Sequence, residues 1–248
     1  MKQLILSIAL LIFCAGFVSA QEQIENMKFD HWYKKGGQWF AASGPTERVW
    51  GTANKGLSLL GMNGTTPDEE FVAVPGPGKK AAKLTSRNVL WAFAAGALYT
   101  GSWGRLIGTK GAEIHWGIPF HSRPVALKGY YCYKPVVINY ARKPFLHRKG
   151  QMDRGNIQVF LGDWDTPVRI NTVTETFLSD DDPHIIGHGR ARFTKDTGGY
   201  VRLHLDINYR DERTPKYVII VATPSDCGNY FTGGDGSTLW LDELKFAY

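Results

Sequence analysis

The stretch Val201-Arg202-Leu203-His204-Leu205-Asp206-Ile207-Asn208-Tyr209-Arg210 decides the fold class. Its apolar residues fall at every second position, with polar residues between them. Side chains of an extended chain point alternately to opposite faces, so this period of two describes a half-buried antiparallel strand with one wet face. A helix would need apolar residues three or four apart. Just downstream, residues 217–221 form a continuous apolar run behind Pro215, the pattern of a central strand. Working outward, further strands are predicted at 114–118, 129–133, 158–161 and 168–176. Turn signals stand between them: Asn63-Gly64, Pro75-Gly76-Pro77-Gly78, Gly198-Gly199 and Gly233-Gly234-Asp235-Gly236. One segment, Asn88-Val89-Leu90-Trp91-Ala92-Phe93-Ala94-Ala95, reads as a short helix or, through its β-branched and aromatic residues, as a strand. Many short strands separated by turns predict an all-β fold, an antiparallel two-sheet β-sandwich.

At the N-terminus, Met1-Lys2 precedes an almost unbroken apolar run from Leu4 to Val18, followed by Ser19-Ala20. One basic residue, a short apolar stretch and small residues at its end predict a cleaved signal peptide at 1–20. The protein is therefore expected to be exported, to the periplasm, the outer surface or the medium. The run is shorter than the roughly 20 apolar residues a membrane span requires, and no later stretch resembles one. Cys14 raises lipid attachment as an alternative, but Phe13 stands where a small residue is wanted, which favours plain cleavage. Residues 21–248 are expected to form one domain, since no repeat or linker divides them. The 75–78 loop is the only boundary candidate, and too few strands precede it to close a core.

The chain holds 29 Lys and Arg against 23 Asp and Glu, net +6, and loss of Lys2 with the leader leaves +5. That charge is too weak for a nucleic-acid interface. The densest basic stretch, Arg142-Lys143 to His147-Arg148-Lys149, has a single aromatic residue within it, Phe145. Cys132 and Cys227 are the two cysteines left after cleavage. An oxidising compartment would permit a disulfide between them, but spacing alone does not establish one.

Several motifs have ordinary explanations. Gly76-Pro77-Gly78-Lys79 lacks the spacing of a phosphate-binding loop. His184 and His188 would lie about 13 Å apart along a strand, too far to share an ion. Asn63-Gly64-Thr65 is a glycosylation sequon that a tight turn also explains. Among carboxylates, Glu113 shares a strand face with His115, opposite Ile114 and Trp116, while Asp163 and Asp165 flank Trp164. Retaining glycosidases set two carboxyls about 5 Å apart. No strand here presents two glutamates on one face, so an acid–base role for Glu113 or Asp163 is the alternative to a non-catalytic reading. On the last strand, Asp242 is expected to share a face with Trp240, Leu244, Phe246 and Tyr248. A carboxylate there needs a cation, a backbone amide or a structural calcium ion.

Further segments recur together in one family: Trp50-Gly51-Thr52-Ala53-Asn54-Lys55-Gly56, Ala81-Ala82-Lys83-Leu84-Thr85-Ser86, Phe93-Ala94-Ala95-Gly96 and Gly117-Ile118-Pro119-Phe120-His121-Ser122-Arg123-Pro124. Lys128-Gly129-Tyr130-Tyr131, Tyr230-Phe231-Thr232-Gly233-Gly234 and Gly236-Ser237-Thr238-Leu239 complete the set. Together, over about 29–248, they resemble the putative carbohydrate metabolism domain of secreted and surface proteins in glycan-foraging bacteria. The resemblance implies a jelly-roll topology akin to carbohydrate-binding modules, and a glycan as partner, within a surface glycan-utilisation complex. It further implies that Asp30 joins Asp242 around one calcium ion.

The expected function is glycan binding, with a glycoside hydrolase or lyase as the alternative and an adhesin or assembly subunit as a third class. Aromatic residues make up 13% of the chain, with eight tryptophans. Trp50, Trp103 and Trp164 stand in turn-like contexts, where an indole can stack on a sugar face. Trp50 and Trp103, beside glycines, are the predicted platforms. Asn54, His121 and Arg123 are the predicted hydrogen-bonding partners.

Overall fold

The computed structural model describes residues 21–47, 49–57, 60–89, 92–108 and 110–248. The expected leader at 1–20, with Cys14, lies outside the described residues. The hairpin of β1 (Tyr33–Lys35) and β2 (Gln38–Phe40) precedes β3 (Trp50–Thr52) and one helical turn, α1 (Asn54–Leu57). Then come β4 (Thr65–Asp68), β5 (Ala81–Thr85), and the small hairpin β6 (Arg87–Val89) and β7 (Ala92–Ala94). The long β8 (Leu98–Ile107) turns back into β9 (Gly111–Trp116), followed by β10 (Ile118–Pro119) and β11 (Ala126–Lys134). Next are β12 (Gly155–Gly162), β13 (Val168–Asn171) and β14 (Ile185–Phe193). The chain ends with β15 (Val201–Asp206), β16 (Asn208–Tyr209), β17 (Tyr217–Thr223) and β18 (Thr238–Ala247).

These strands form the antiparallel two-sheet sandwich that the sequence predicts, with jelly-roll topology. The larger sheet runs β13-β9-β8-β17-β12-β14-β16, with β3 also on β8 and β10 also on β17. The smaller runs β15-β11-β18-β5-β4. Between them Ile157, Val159 and Leu161 of β12 and Val218 and Ile220 of β17 pack with Leu84, Leu127, Leu203, Leu239 and Leu241. Full burial of each such side chain stabilises by about 1.5–3 kcal/mol. The larger sheet's other face carries a second cluster, including Tyr99, Trp116, Phe160, Ile170, Ile219 and Val221. Strand β17 is thus covered on both sides, which is why 217–221 is apolar throughout.

The alternating stretch 201–210 does more than fill one sheet. Strand β15 pairs with β11 in the smaller sheet, and β16 pairs with β14 in the larger. The chain crosses between sheets at Ile207, whose N–H donates to Val125 O at 2.9 Å. Leu203, Leu205 and Ile207 all enter the same core, so the period of two survives the crossing.

Three expected strands change at identifiable points. The 114–118 strand breaks at Gly117, with φ of 109°, into β9 and β10. The 168–176 strand stops at Asn171, whose Oδ1 accepts from Val173 N at 2.9 Å and Thr174 N at 3.2 Å, an Asx turn. In β18, Leu239 and Leu241 point into the core, and then Leu244 and Phe246 do. Opposite, Tyr130 aligns with Asp242 but Lys128 with Lys245, so one extra residue is inserted in β18. Glu243, at φ of 49°, carries this bulge. It reverses the inward face, so Asp242 does not share the core face of Leu244 and Phe246 as alternation predicts. The ambiguous 88–95 segment overlaps the β6–β7 hairpin, which starts at Arg87, and residues 90 and 91 lie outside the described residues. Cys132 and Cys227 are buried, unpaired thiols. No helix among the described residues is long and apolar enough to cross a membrane.

Candidate functional site

Three segments rise from the outer face of the larger sheet: α1 with Leu60, the β6–β7 hairpin, and the loop that follows β17. They enclose a cavity of about 490 Å³, within the usual ~300–1,000 Å³ of small-molecule sites. Its floor is built by strand alternation. Tyr99 and Trp103 come from β8, Ile114 and Trp116 from β9, Val221 and Thr223 from β17, and Asn156 and Gln158 from β12. Gln158 aligns with Val221 and Val221 with Tyr99, so the three stand in one row across the sheet. The walls are apolar, with Leu57, Phe93, Phe231 and the alanines 92, 94, 95 and 97.

Four buried polar atoms of this lining have no hydrogen-bond partner among the described residues: Tyr99 Oη, Trp103 Nε1, Trp116 Nε1 and Asn156 Oδ1. Tyr99 is 2% exposed, Trp116 7% and Asn156 6%. An unmade hydrogen bond on a buried group costs about 1–3 kcal/mol, so groups that enter the cavity gain by supplying partners. Burial pushes the Tyr99 phenol well above its ordinary value, so it keeps its proton. Gln158 Oε1 accepts from Arg190 Nε at 2.7 Å and from Arg190 Nη2, which turns the amide nitrogen away from Arg190. The only carboxylate among the described lining residues is Asp226, paired with Arg154 at 2.9 Å.

The loop after β17 is tied down from beneath. Asp153, fully buried, accepts from Ser225 Oγ at 2.6 Å, Gly234 N at 2.8 Å and Arg154 N at 2.8 Å. Ser86 Oγ lies 2.7 Å from Ser225 Oγ. Burial raises the Asp153 carboxyl's affinity for a proton, and these hydrogen bonds oppose that.

Of the five predicted ligand residues, Trp103 lines the cavity. Trp50 instead packs in the core, 7% exposed, edge-on to Phe29 at 5.2 Å, with Nε1 donating to Glu25 O at 2.8 Å. It belongs to the core between the sheets and does not line the cavity. Asn54 is 1% exposed and uses its whole amide inside the protein. Its Nδ2 donates to Trp39 O and Thr65 O, and its Oδ1 accepts from Gly64 N and Thr65 N. It anchors β4 rather than presenting groups to a ligand. His121 and Arg123 lie by the Tyr217 end of β17, about 20 Å along the strand from Thr223. There the His121 N–H donates to Glu22 Oε2 at 3.0 Å, and Arg123 stacks on Tyr209 at 4.1 Å and donates to Asp211 O. The structure does not bring these two to the cavity.

Neither catalytic candidate lines it. Glu113 points to the opposite face of β9 from Ile114 and Trp116, beside His115 at 3.5 Å, Arg105 at 3.7 Å and Arg169. The Arg169 hydrogen bond holds its carboxyl below the ordinary range. Asp163 accepts from His184 at 2.9 Å and Arg213 at 2.8 Å. Desolvation works against its ionisation, but these two partners prevail and lower its pKa. Trp164, 7% exposed, packs in the outer cluster.

At the other sheet, Asp30 accepts from Lys79 Nζ at 2.9 Å and Lys80 N at 3.1 Å. Lys79 Nζ also reaches Glu243 at 2.6 Å. Asp242, 2% exposed, accepts from Ala73 N at 2.7 Å. Burial pushes its pKa up to about 6, against the hydrogen bonds from Ala73 and Glu243. No group of three or more His, Cys, Asp or Glu poised for a metal occurs among the described residues. An ion joining Asp30 and Asp242 would have to compete with the Lys79 ammonium for Asp30.

A family model described as a putative carbohydrate metabolism domain matches residues 22–247. Two crystal structures are similar, each described as a putative glycoside hydrolase. One, from Bacteroides thetaiotaomicron, is 24% identical with a TM-score of 0.68, covering 92% of this chain and 71% of that one. The other, from Bacteroides vulgatus, is 22% identical with a TM-score of 0.64, covering 87% and 94% respectively. At these identities the likeness establishes the shared fold. No curated protein matches the chain.

Proposed function

The chain belongs to the family of putative carbohydrate metabolism domains, and from that premise we propose an exported, non-catalytic glycan-binding domain with its ligand in the cavity over β8, β9, β12 and β17. The observation that carries this is the set of polar atoms without a partner among the described residues, Tyr99 Oη, Trp103 Nε1, Trp116 Nε1 and Asn156 Oδ1, in an aromatic-lined cavity. Aromatic surface and a few directed hydrogen bonds are what a sugar ring uses. A hydrolase reading has Asp226 as its one carboxylate among the described lining residues, and two-carboxyl mechanisms need a second within about 5–9.5 Å.

A glycan array with the 21–248 chain tests the reading. Binding to one glycan class, lost by at least tenfold in a folded Trp103→Ala variant, is the expected result. Unchanged affinity in that variant removes Trp103 from the site, and hydrolysis of a bound glycan rejects the non-catalytic reading. Participation in a surface glycan-utilisation complex accompanies this proposal. So does a calcium ion at Asp30 and Asp242, which would raise the melting temperature, and more so in Lys79→Met. Absence of any shift in both proteins overturns the calcium proposal.

A further inference from the structure

The cavity's unpartnered atoms are unequal in kind. Trp103 Nε1 and Trp116 Nε1 are donors only, Tyr99 Oη can donate or accept, and Asn156 Oδ1 is the single obligate acceptor. Gln158 offers no free acceptor, because Arg190 donates twice to its carbonyl oxygen. Around these donors the wall is small and apolar, built by Ala92, Ala94, Ala95 and Phe93.

An unsubstituted sugar satisfies these four atoms incompletely. Each hydroxyl that accepts from an indole N–H also brings a hydrogen that needs an acceptor, and a buried O–H left without one is costly. An acetamido group fits better on every count. Its carbonyl oxygen has two lone pairs and no proton, so it can accept from a donor without adding one. Its N–H has a counterpart in Asn156 Oδ1. Its methyl group has an apolar wall to bury against, worth about a factor of four in affinity for one buried carbon. A carboxylate would also satisfy the donors, but it brings no methyl to bury against the alanine wall.

We infer that the cavity selects glycans carrying an N-acetylated amino sugar, with the acetamido group seated between the indole donors and the alanine wall. This rests on the glycan-binding reading and adds the ligand class to it. The test uses matched pairs that differ at the acetamido position: chitotriose against cellotriose, and N-acetylgalactosamine and N-acetylmannosamine against galactose and mannose. Titration of the 21–248 chain, followed by calorimetry and tryptophan emission, is expected to show at least tenfold tighter binding of the acetylated member of one pair. Trp116→Phe and Trp103→Phe remove one N–H each and keep a ring. Where such a variant melts like the parent, its preference for the acetylated member should fall several-fold. Equal or tighter binding of the unsubstituted member overturns the inference and leaves glycan binding standing. Preference for a uronic-acid oligomer, weakened by salt, also overturns it, with charge as the selector. Failure of every sugar on the array and in these pairs defeats the glycan-binding reading itself.

Discussion

Asp242 holds its carboxyl where water scarcely reaches, beneath the segment that contributes Ala73 N. With its pKa pushed up to about 6 from 3.8, the folded protein keeps a proton there that the unfolded chain releases. Stability contributed at this position is therefore largest below about pH 4, falls as pH rises through the interval, and levels off above about 6. Relative to Asp242→Asn, the parent should lose at most about 2–3 kcal/mol between pH 4 and pH 7, read by urea denaturation at each pH in calcium-free buffer with chelator. A parallel pair of curves would contradict it. Other residues divide by what a sequence can carry. Trp103 was legible because its glycine neighbours mark a place where the backbone leaves room. Trp50 has the same neighbour, yet Gly51 serves another purpose: a Cβ there would sit 2.3 Å from the Tyr99 ring. Asn54 sits in a recurring segment for the sake of its four backbone hydrogen bonds, and a sequence does not distinguish that from ligand contact. Trp116 and Tyr99 were missed because their strand face is covered by distant loops.

At the scale of elements, the approach of β3 to β8 gives a direct test. Gly51→Ala must push Tyr99 aside, so it should destabilise by roughly 1–3 kcal/mol and weaken ligand binding as well. Thermal melts and titration of one variant read both effects, and a fully stable, fully binding variant would refute the account. The loop between β17 and β18 gives a second. Asp153→Ala leaves Ser225 Oγ, Gly234 N and Arg154 N without their shared acceptor, at an expected cost of about 3 kcal/mol or more. Because Ser225 lines the cavity, limited proteolysis should also find the 225–231 loop opened first. Strand identity was the most legible feature, since period two at 201–210 and the apolar run at 217–221 follow directly from pleat and burial. Strand ends were less so. A single inserted residue at Glu243 reverses a face, and alternation alone carries no sign of it.

For the whole molecule, the two-sheet class followed from counting short strands and turns, and the recurring segments placed the chain in a family whose model matches 22–247. Where the proposed binding face lies did not follow. That depends on which loops fold over which sheet, a property of contacts between residues far apart in sequence, such as Phe93 and Phe231 around one cavity. The crossing at Ile207 has its own consequence at this scale. One run of chain is stitched through both layers, laddered to β11 on one side and to β14 on the other. The layers therefore have a seam and not merely an interface: neither can peel away while the other keeps its ladder under tension at that residue. Tryptophan emission, which reports from both layers, and far-UV circular dichroism should trace one coincident urea transition. Two separated transitions would mean that the seam opens before the layers do.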